Sequence, residues 1–143
     1  MSDLEVARQR LNDRKLSLVF VRDSKIIYET DEEGLGGFLH AIEKSMDNLA
    51  GASVADKIIG KATALLCAHA KVVAAFAVTM SQGGLEILRK HKIPNEFVAL
   101  VPVILNSKKT DKCPFEKLVE NISSPKQAHE ETKRFYNRTR APK

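Results

Sequence analysis

The spacing of apolar residues in the first third of the chain predicts a helix, a β-hairpin and a second helix. Residues 3–13 place three apolar side chains on one face, which is typical of a short amphipathic helix. The runs SLVFVRD and KIIYET flank a tight turn at residues 23–25 and predict two antiparallel strands. The stretch GLGGFLHAIEKSMDNLAG carries apolar residues at helical spacing and ends at Gly51, which suits a helix C-terminus.

The middle of the chain predicts one longer helix and then strand, helix and strand. SVADKIIGKATALLCAHA has a wide apolar face at helical spacing, with Ser53 as N-cap and Asp56 placed as in a capping box. VVAAFAVTM predicts a strand buried on both faces. SQGGLEILRKHKI predicts a short helix capped by Ser81. FVALVPVIL predicts a strand at a sheet edge or with a bulge, because Pro102 cannot donate to a ladder.

The last third follows a lysine-rich loop, NSKKTDK. A helix is predicted to begin near Cys113, and a polar, basic helix or tail to run from Ser124 to the end. The predicted order is therefore α-β-β-α-α-β-α-β-α-α. A hairpin followed by β-α-β implies an α/β protein with a mixed sheet covered by helices on both faces.

Length and composition are typical of one globular domain. The chain has 143 residues, of which 43% are hydrophobic and 29% charged. We expect a single domain over 1–143, with a core of about 16–122, an N-terminal helix in 1–15 and the basic helix or tail in 123–143. No apolar run approaches the roughly 20 residues of a membrane helix. The charged N-terminal segment has no signal-peptide core, so we expect a cytoplasmic protein with no membrane partner.

The net charge of +5 is concentrated in the last quarter of the sequence. Residues 1–105 hold 13 Lys/Arg and 13 Asp/Glu, whereas residues 106–143 hold 10 and 5. Nucleic acid is therefore a candidate partner for the tail alone, where KRFYNRTRAPK sets basic side chains beside aromatic rings that can stack on bases. The candidate contact residues are Lys133, Arg134, Tyr136, Arg138 and Arg140.

Two interpretations of this tail stay open. It is either an RNA-binding or protein-interaction module, or a basic helix whose aromatic rings pack on the domain or on a second subunit. The continuous apolar run VVAAFAVTM and the small residues of the preceding segment are also compatible with a homo-oligomer.

Three motifs in order, SVADKIIGKATALL, LVPVILN and CPFEK, resemble an uncharacterised family of prokaryotic proteins. This family is a domain of unknown function with a cytidine-deaminase-like fold. The resemblance covers roughly residues 16–120 and implies a three-layer α/β/α sandwich. It does not imply deaminase chemistry, because the family has no established reaction.

The residues can be compared with those that zinc deamination requires. Zinc deaminases use H-x-E and P-C-x-x-C. In such a fold we expect these motifs at residues 55–57 and 81–84, where ADK and SQGG offer no ligand set. His129 begins an H-x-E string, but no P-C-x-x-C follows, and we interpret the match as chance. With two cysteines and no CxxC, we predict no metal site and no cofactor.

The same two segments carry residues that suit an anion. Asp56, Lys57, Gly60 and Lys61 belong to the first, and Ser81, Gly83 and Gly84 to the second. Free amides at a helix start, together with ammonium groups, favour phosphate, which makes a small anionic ligand such as a nucleotide or an ADP-ribose-like molecule the leading hypothesis. The alternative is structural: solvated lysines, a helix cap and turn glycines.

The segment CPFEK raises a second catalytic hypothesis. Proline favours the first turn of a helix, so Cys113 lies at the N-cap and Glu116 is placed to reach back as a capping-box residue. A thiol at a helix N-terminus beside lysines has a lowered pKa, which suits a nucleophile. Cys113, Glu116 and Asp56 are then catalytic candidates for a transferase or hydrolase acting on a nucleotide or ADP-ribose-type substrate. The alternative is that CPFEK only caps its helix.

The four histidines are scattered along the sequence. His40, His69, His91 and His129 form no HExxH-like pair. We interpret each of them as structural or as a surface residue.

Overall fold

This computed structural model describes residues 1–140, which form five strands and six helices. The strands are β1 (Leu18–Arg22), β2 (Lys25–Thr30), β3 (Ser53–Ile59), β4 (Ala74–Ser81) and β5 (Asn95–Val101). The helices are α1 (Asp3–Asp13), α2 (Leu35–Leu49), α3 (Lys61–Ala70), α4 (Gln82–Lys90), α5 (Pro114–Leu118) and α6 (Pro125–Arg140).

The sheet is mixed, with strand order β2-β1-β3-β4-β5. β1 pairs antiparallel with both β2 and β3, and β3, β4 and β5 are parallel. Helix α1 covers one face, and α2, α3 and α4 cover the other. The predicted three-layer α/β/α sandwich is confirmed. Helix α6 packs outside α3 rather than on the sheet.

The N-terminal helix and the hairpin follow the sequence pattern closely. Asp23 and Ser24 both adopt positive φ, at 52° and 64°, as a two-residue hairpin turn requires. The carboxylate of Asp3 accepts hydrogen bonds from both of their amides at 2.9 Å, which fastens the start of α1 to the turn. The predicted helix over 3–13 and the predicted hairpin are confirmed.

The prediction of one helix over residues 53–70 is wrong. Ser53–Ile59 form the central strand β3, Gly60 is the N-cap, and helix α3 begins at Lys61. Ser53 is therefore not an N-cap, and Asp56 is not a capping-box residue. β-Branched side chains favour the extended backbone, and β3 gains ladders on both sides, with β1 and with β4. The fold thus has five strands, one more than the sequence pattern predicts.

The order of the strands and helices that follow agrees with the sequence pattern. The prediction that VVAAFAVTM is buried on both faces is wrong in part, because Val78 in β4 is 41% exposed. Ser81 caps α4, since its Oγ accepts a hydrogen bond from the amide of Gly84 at 3.0 Å. β5 is an edge strand and ends at Val101, directly before Pro102. The basic tail forms helix α6, and its residues 141–143 lie outside the described part of the chain.

The core lies mainly between the sheet and α2, α3 and α4. Phe20 and Phe38 meet there edge to face, with ring centroids 5.1 Å apart. A smaller cluster under α1 includes Leu11 and Phe76. Within residues 1–140, no helix is both long and apolar enough to cross a membrane.

Candidate functional site

The N-terminus of α3 is closed by a side chain from a distant segment. Glu116, on α5, accepts a hydrogen bond from the amide of Lys61 at Oε1, 2.8 Å, and from the amide of Ala62 at Oε2, 2.9 Å. A carboxylate at this position satisfies two free donors and complements the helix dipole. Glu116 therefore caps α3 and not its own helix, so its predicted role as a capping-box residue of α5 is wrong.

Two glycines allow these segments to approach. A Cβ on Gly60 would lie 2.3 Å from Oε1 of Glu116 and 2.9 Å from Cγ1 of Ile104. A Cβ on Gly84 would lie 2.7 Å from the carbonyl oxygen of Ile59. The starts of α3 and α4 and the turn of α5 are therefore packed against each other through positions that have no side chain.

An open cleft of about 190 Å³ lies where these helix starts meet. We call it the lysine cleft, and its main polar residues are Lys61, Ser81, Gly83, Lys112, Glu116 and Glu120. Pro102 and Val103, which follow β5, complete the wall. The structure thus brings together the two segments that the sequence analysis joined in one anion site, residues 102–103 after β5, and the CPFEK segment with its neighbours.

Both lysines of this cleft are held by Glu120. Nζ of Lys61 donates to the backbone carbonyl of Glu120 at 2.9 Å, and Nζ of Lys112 lies 3.0 Å from its Oε1. The cleft is lined by two lysines and by Glu116 and Glu120, so its formal charges balance. At the start of α4, Ser81 uses the amide of Gly84, which leaves the amides of Gln82 and Gly83 outside the cap.

Asp56 and Lys57 do not join the lysine cleft. Successive strand residues face opposite sides of a sheet, and Lys57 lines a groove on the α1 side and pairs with Glu33 at 3.6 Å. Asp56 Oδ1 accepts a hydrogen bond from the amide of Ile58 at 3.2 Å. Burial raises the pKa of Asp56 to about 7. A pKa raised in this way is a property of many functional groups but also of acids with a purely structural role.

The two cysteines have different environments. Cys113 is the N-cap of α5, is half-buried, and its side chain makes no capping hydrogen bond. Its amide donates to the carbonyl of Ile104 at 2.9 Å. Cys67 is fully buried on α3, and burial, with the nearby charge of Asp56, raises the pKa of its thiol. Of the two thiols, Cys113 is the one that reagents can reach.

The aromatic residues of the basic tail pack inward. Phe135 meets Phe115 edge to face at 5.2 Å, and Tyr136 meets His40 at 5.6 Å. Arg138 and Arg140 lie over the rings of Phe135 and Tyr136. The arrangement matches the interpretation in which the tail is a basic helix packed on the domain, while Lys133 and Arg134 remain exposed.

Three of the four histidines meet in a second cleft, which the sequence analysis missed. This histidine cleft, of about 340 Å³, lies between α2, α3 and α6 and is lined by His40, His69, His129, Lys133, Tyr136 and Asn137. The rings of His69 and His129 stack with centroids 4.5 Å apart. Burial lowers the pKa of both imidazoles.

The orientation of His40 is set by a carboxylate. His40 Nδ1 lies 2.9 Å from Glu32 Oε1, and the hydroxyl of Tyr136 donates to Glu32 Oε2 at 3.0 Å. Because a carboxylate accepts, Nδ1 of His40 carries the proton of this hydrogen bond. Gly36 makes this arrangement possible, since a Cβ there would lie 2.5 Å from Glu32 Oε2.

Comparison with known proteins agrees with this fold. The family model described as "Domain of unknown function (DUF1893)" matches residues 6–136. The chain belongs to the DUF1893 family. A DUF1893 protein from Thermotoga maritima superposes with a TM-score of 0.86 at 25% identity, over 94% of this chain and 91% of that one. The family resemblance inferred from the sequence motifs is confirmed.

More distant structures have the deaminase-like fold. Two forms of Acinetobacter baumannii RibD match with TM-scores of 0.51 and 0.52 at 15% and 16% identity. Each match covers 67% of this chain and about a third of RibD, 36% and 35%. The part that matches is cytidine-deaminase-like, and at this identity the likeness concerns the fold alone. A search of curated proteins found no significant match.

The side chains of this DUF1893 chain can also be compared with the ligand set that a metal ion needs. Within residues 1–140, no three His, Cys, Asp or Glu side chains are grouped closely enough to hold a metal ion. The positions expected for deaminase motifs also need correction, because residues 55–57 lie inside β3 and not at a helix start. The structure instead has two separate polar sites. One is the lysine cleft, whose formal charges cancel, and the other is the cluster of imidazoles in the histidine cleft.

Proposed function

We propose that this DUF1893 protein binds a small phosphate-bearing anion, such as a nucleotide, in the lysine cleft. The observation that carries the proposal is the convergence of Lys61, Lys112 and the glycine-rich start of α4 on one open cleft. A helix start flanked by ammonium groups offers the kinds of donor that phosphate requires.

The contacts available to such a ligand depend on which donors of the cleft already have a hydrogen-bond partner. Glu116 uses the amides of Lys61 and Ala62, so the phosphate would meet the amides of Gln82 and Gly83 at α4. The ammonium groups of Lys61 and Lys112 would turn from Glu120 to the phosphate. Binding therefore exchanges one set of charge-assisted hydrogen bonds for another and does not bring unpaired cations together.

The size of the cleft limits what it encloses. Its volume of about 190 Å³ is below the range of about 300–1,000 Å³ that is typical of ligand pockets. We expect the phosphate and sugar to lie in the cleft and the base to extend along Pro102 and Val103, where apolar surface is exposed.

Titration calorimetry with AMP and with ADP-ribose tests the proposal. Lys61→Ala and Lys112→Ala should each weaken binding about tenfold or more, because each removes a charge-assisted hydrogen bond to phosphate. Lys44→Ala, an exposed lysine on α2 that lines neither cleft, is the matched control and should leave the affinity unchanged. Absence of binding by both compounds, or binding that neither cleft lysine affects, would reject the proposal.

A further inference from the structure

We propose that the histidine cleft is a second binding site, which takes a small organic acid with a flat apolar body, such as an aromatic carboxylate. It lies between α2, α3 and α6 and shares no lining residue with the lysine cleft. The two proposals can therefore succeed or fail independently.

The floor of the cleft suits the apolar body of such a ligand. Leu39 and Ile42 are almost fully buried, at 5% and 4% exposure, and Met46 packs against the same core. These side chains all belong to α2 and line the cleft together. Its volume of about 340 Å³ falls within the range that is typical of small-molecule sites, and such sites combine apolar walls with a few polar groups.

The polar wall offers donors to a carboxylate. Of the three histidines that line the cleft, His40 makes a side-chain hydrogen bond, and its partner is Glu32. The stacked rings of His69 and His129 are left to face the cleft. Lys133, one turn after His129 on α6, supplies a permanent positive charge, and Asn137 an amide. A carboxylate near these groups meets a cation and neutral imidazoles that can each donate a hydrogen bond.

The site is also fixed before any ligand arrives. Glu32 accepts hydrogen bonds from both His40 and Tyr136, and so joins α2 to α6 across the cleft. The ring of Tyr136 is further held edge to face against His40, with centroids 5.6 Å apart. Side chains held in this way lose little freedom on binding, which favours affinity.

The charges around the histidine pair decide how binding depends on pH. Lys71 at the end of α3 and Lys126 and Lys133 on α6 oppose protonation of the pair, whereas Glu130 on α6 favours it. His40, Glu43 and Tyr136 face the pair across the cleft, with Glu32 behind His40. Burial lowers the pKa of both imidazoles and so favours their neutral forms, and a bound carboxylate would reverse part of that effect by favouring the charged ring.

Binding and protonation are therefore linked. An anion that favours the imidazolium raises its pKa, and by reciprocity the anion binds more tightly once the ring is charged. Affinity should rise as the pH falls through the pKa of the bound state and level off below that of the free state. Each unit by which the pKa rises corresponds to about a tenfold gain in affinity.

NMR titration of the histidine side chains of the whole protein, with benzoate as the probe, tests the proposal. Benzoate should raise the pKa of His69 or His129, and its Kd should fall as the pH falls through that raised pKa. Benzamide, which has the same ring but no charge, should bind weakly and leave both pKa values in place. Benzoate that moves neither histidine resonance at millimolar concentration would overturn the proposal.

Substitutions in the cleft separate it from general surface attraction. Lys133→Ala should weaken benzoate binding several-fold, and replacement by Gln of whichever of His69 and His129 shows the raised pKa should remove most of the pH dependence while keeping a hydrogen-bonding side chain. Lys44→Ala serves again as the control and should have no effect. Since the histidine resonances of the unsubstituted protein report the site directly, a variant that fails to fold does not remove the test.

Discussion

The carboxylate of Glu116 caps a helix that begins 55 residues earlier, with its Oε1 at 2.8 Å from the amide nitrogen of Lys61. This bond joins the last third of the chain to the centre of the fold. The helix that carries this glutamate, α5, is itself only five residues long. The segment acts as a cap for α3 that is supplied from outside the helix.

Removal of this cap should destabilise the protein. Glu116→Ala should lower the free energy of unfolding by about 2 kcal/mol, because two charge-assisted hydrogen bonds are lost and water replaces them only in part. Glu116→Gln, which keeps one acceptor, should cost about half as much. Urea denaturation measures both values.

The control for this substitution is Glu86→Ala, at an exposed position of α4. Its effect should stay within about 0.5 kcal/mol, as for most surface changes. Equal stability of Glu116→Ala and Glu86→Ala would show that the amides of α3 do not need a protein partner.

Two adjacent glycines should respond in opposite directions to alanine. Gly84→Ala places a Cβ 2.7 Å from the carbonyl oxygen of Ile59, which is backbone and cannot turn away. It should cost about 2 kcal/mol or more. At Gly83 the nearest atom to the new Cβ is 3.6 Å away, so Gly83→Ala should stabilise α4 by about 0.5 kcal/mol. Melting temperatures that shift in the same direction would contradict this packing.

Asp56 should make the protein less stable as the pH rises. An unfolded aspartate titrates near about 4, whereas the pKa of Asp56 in the fold is about 7. Between these values the unfolded chain has lost the proton that the folded chain retains. The free energy of unfolding should therefore fall between about pH 4 and pH 7 and stay low above that range.

Asp56→Asn removes this dependence. The variant should be more stable than the natural protein by about 1–3 kcal/mol at about pH 8 and show little gain near pH 4. Denaturant titrations at several pH values give the comparison. A gain that is the same at every pH would mean that the carboxyl of Asp56 is not the group that titrates.

The two thiols should react at very different rates with a disulfide reagent. Cys113 is partly exposed, whereas Cys67 is fully buried and burial raises the pKa of its thiol. We expect one equivalent to react rapidly in the native protein and the second only on unfolding. Cys113→Ser should abolish the rapid phase, and Cys67→Ser, if it folds, should retain it.

The error in the sequence analysis at residues 53–70 has a physical origin. Val54, Ile58 and Ala62 recur at helical spacing, yet the chain changes from strand to helix at Gly60 between them. A continuous apolar segment is compatible with a buried strand or a buried helix, and only its partners decide. Those partners, β1 and β4, lie outside the segment. The hairpin and α4 were predictable because local turn and cap residues specify them.

The two clefts were harder to predict than the strands and helices, because they are formed by residues that are distant in the sequence. A glutamate three residues after Cys113 fits a capping box, and only the fold shows that it caps α3 instead. The histidines are 29 and 60 residues apart along the chain, at His40, His69 and His129, and no local motif relates them. One signal was available: His129 and Tyr136 lie seven residues apart on a predicted helix, two turns along the same face.

Helix α6 has a consequence for the time at which the protein can complete its fold during synthesis. Ala128 and Thr132 are fully buried, and Tyr136 bonds back across 104 residues to Glu32. Domains fold as their residues leave the ribosome, and until residue 136 has emerged the apolar surface of α2 and α3 that α6 covers stays open to water. A nascent chain that pauses before this point would present that surface to chaperones, so the speed at which the segment of α6 is translated bears on the yield of folded protein.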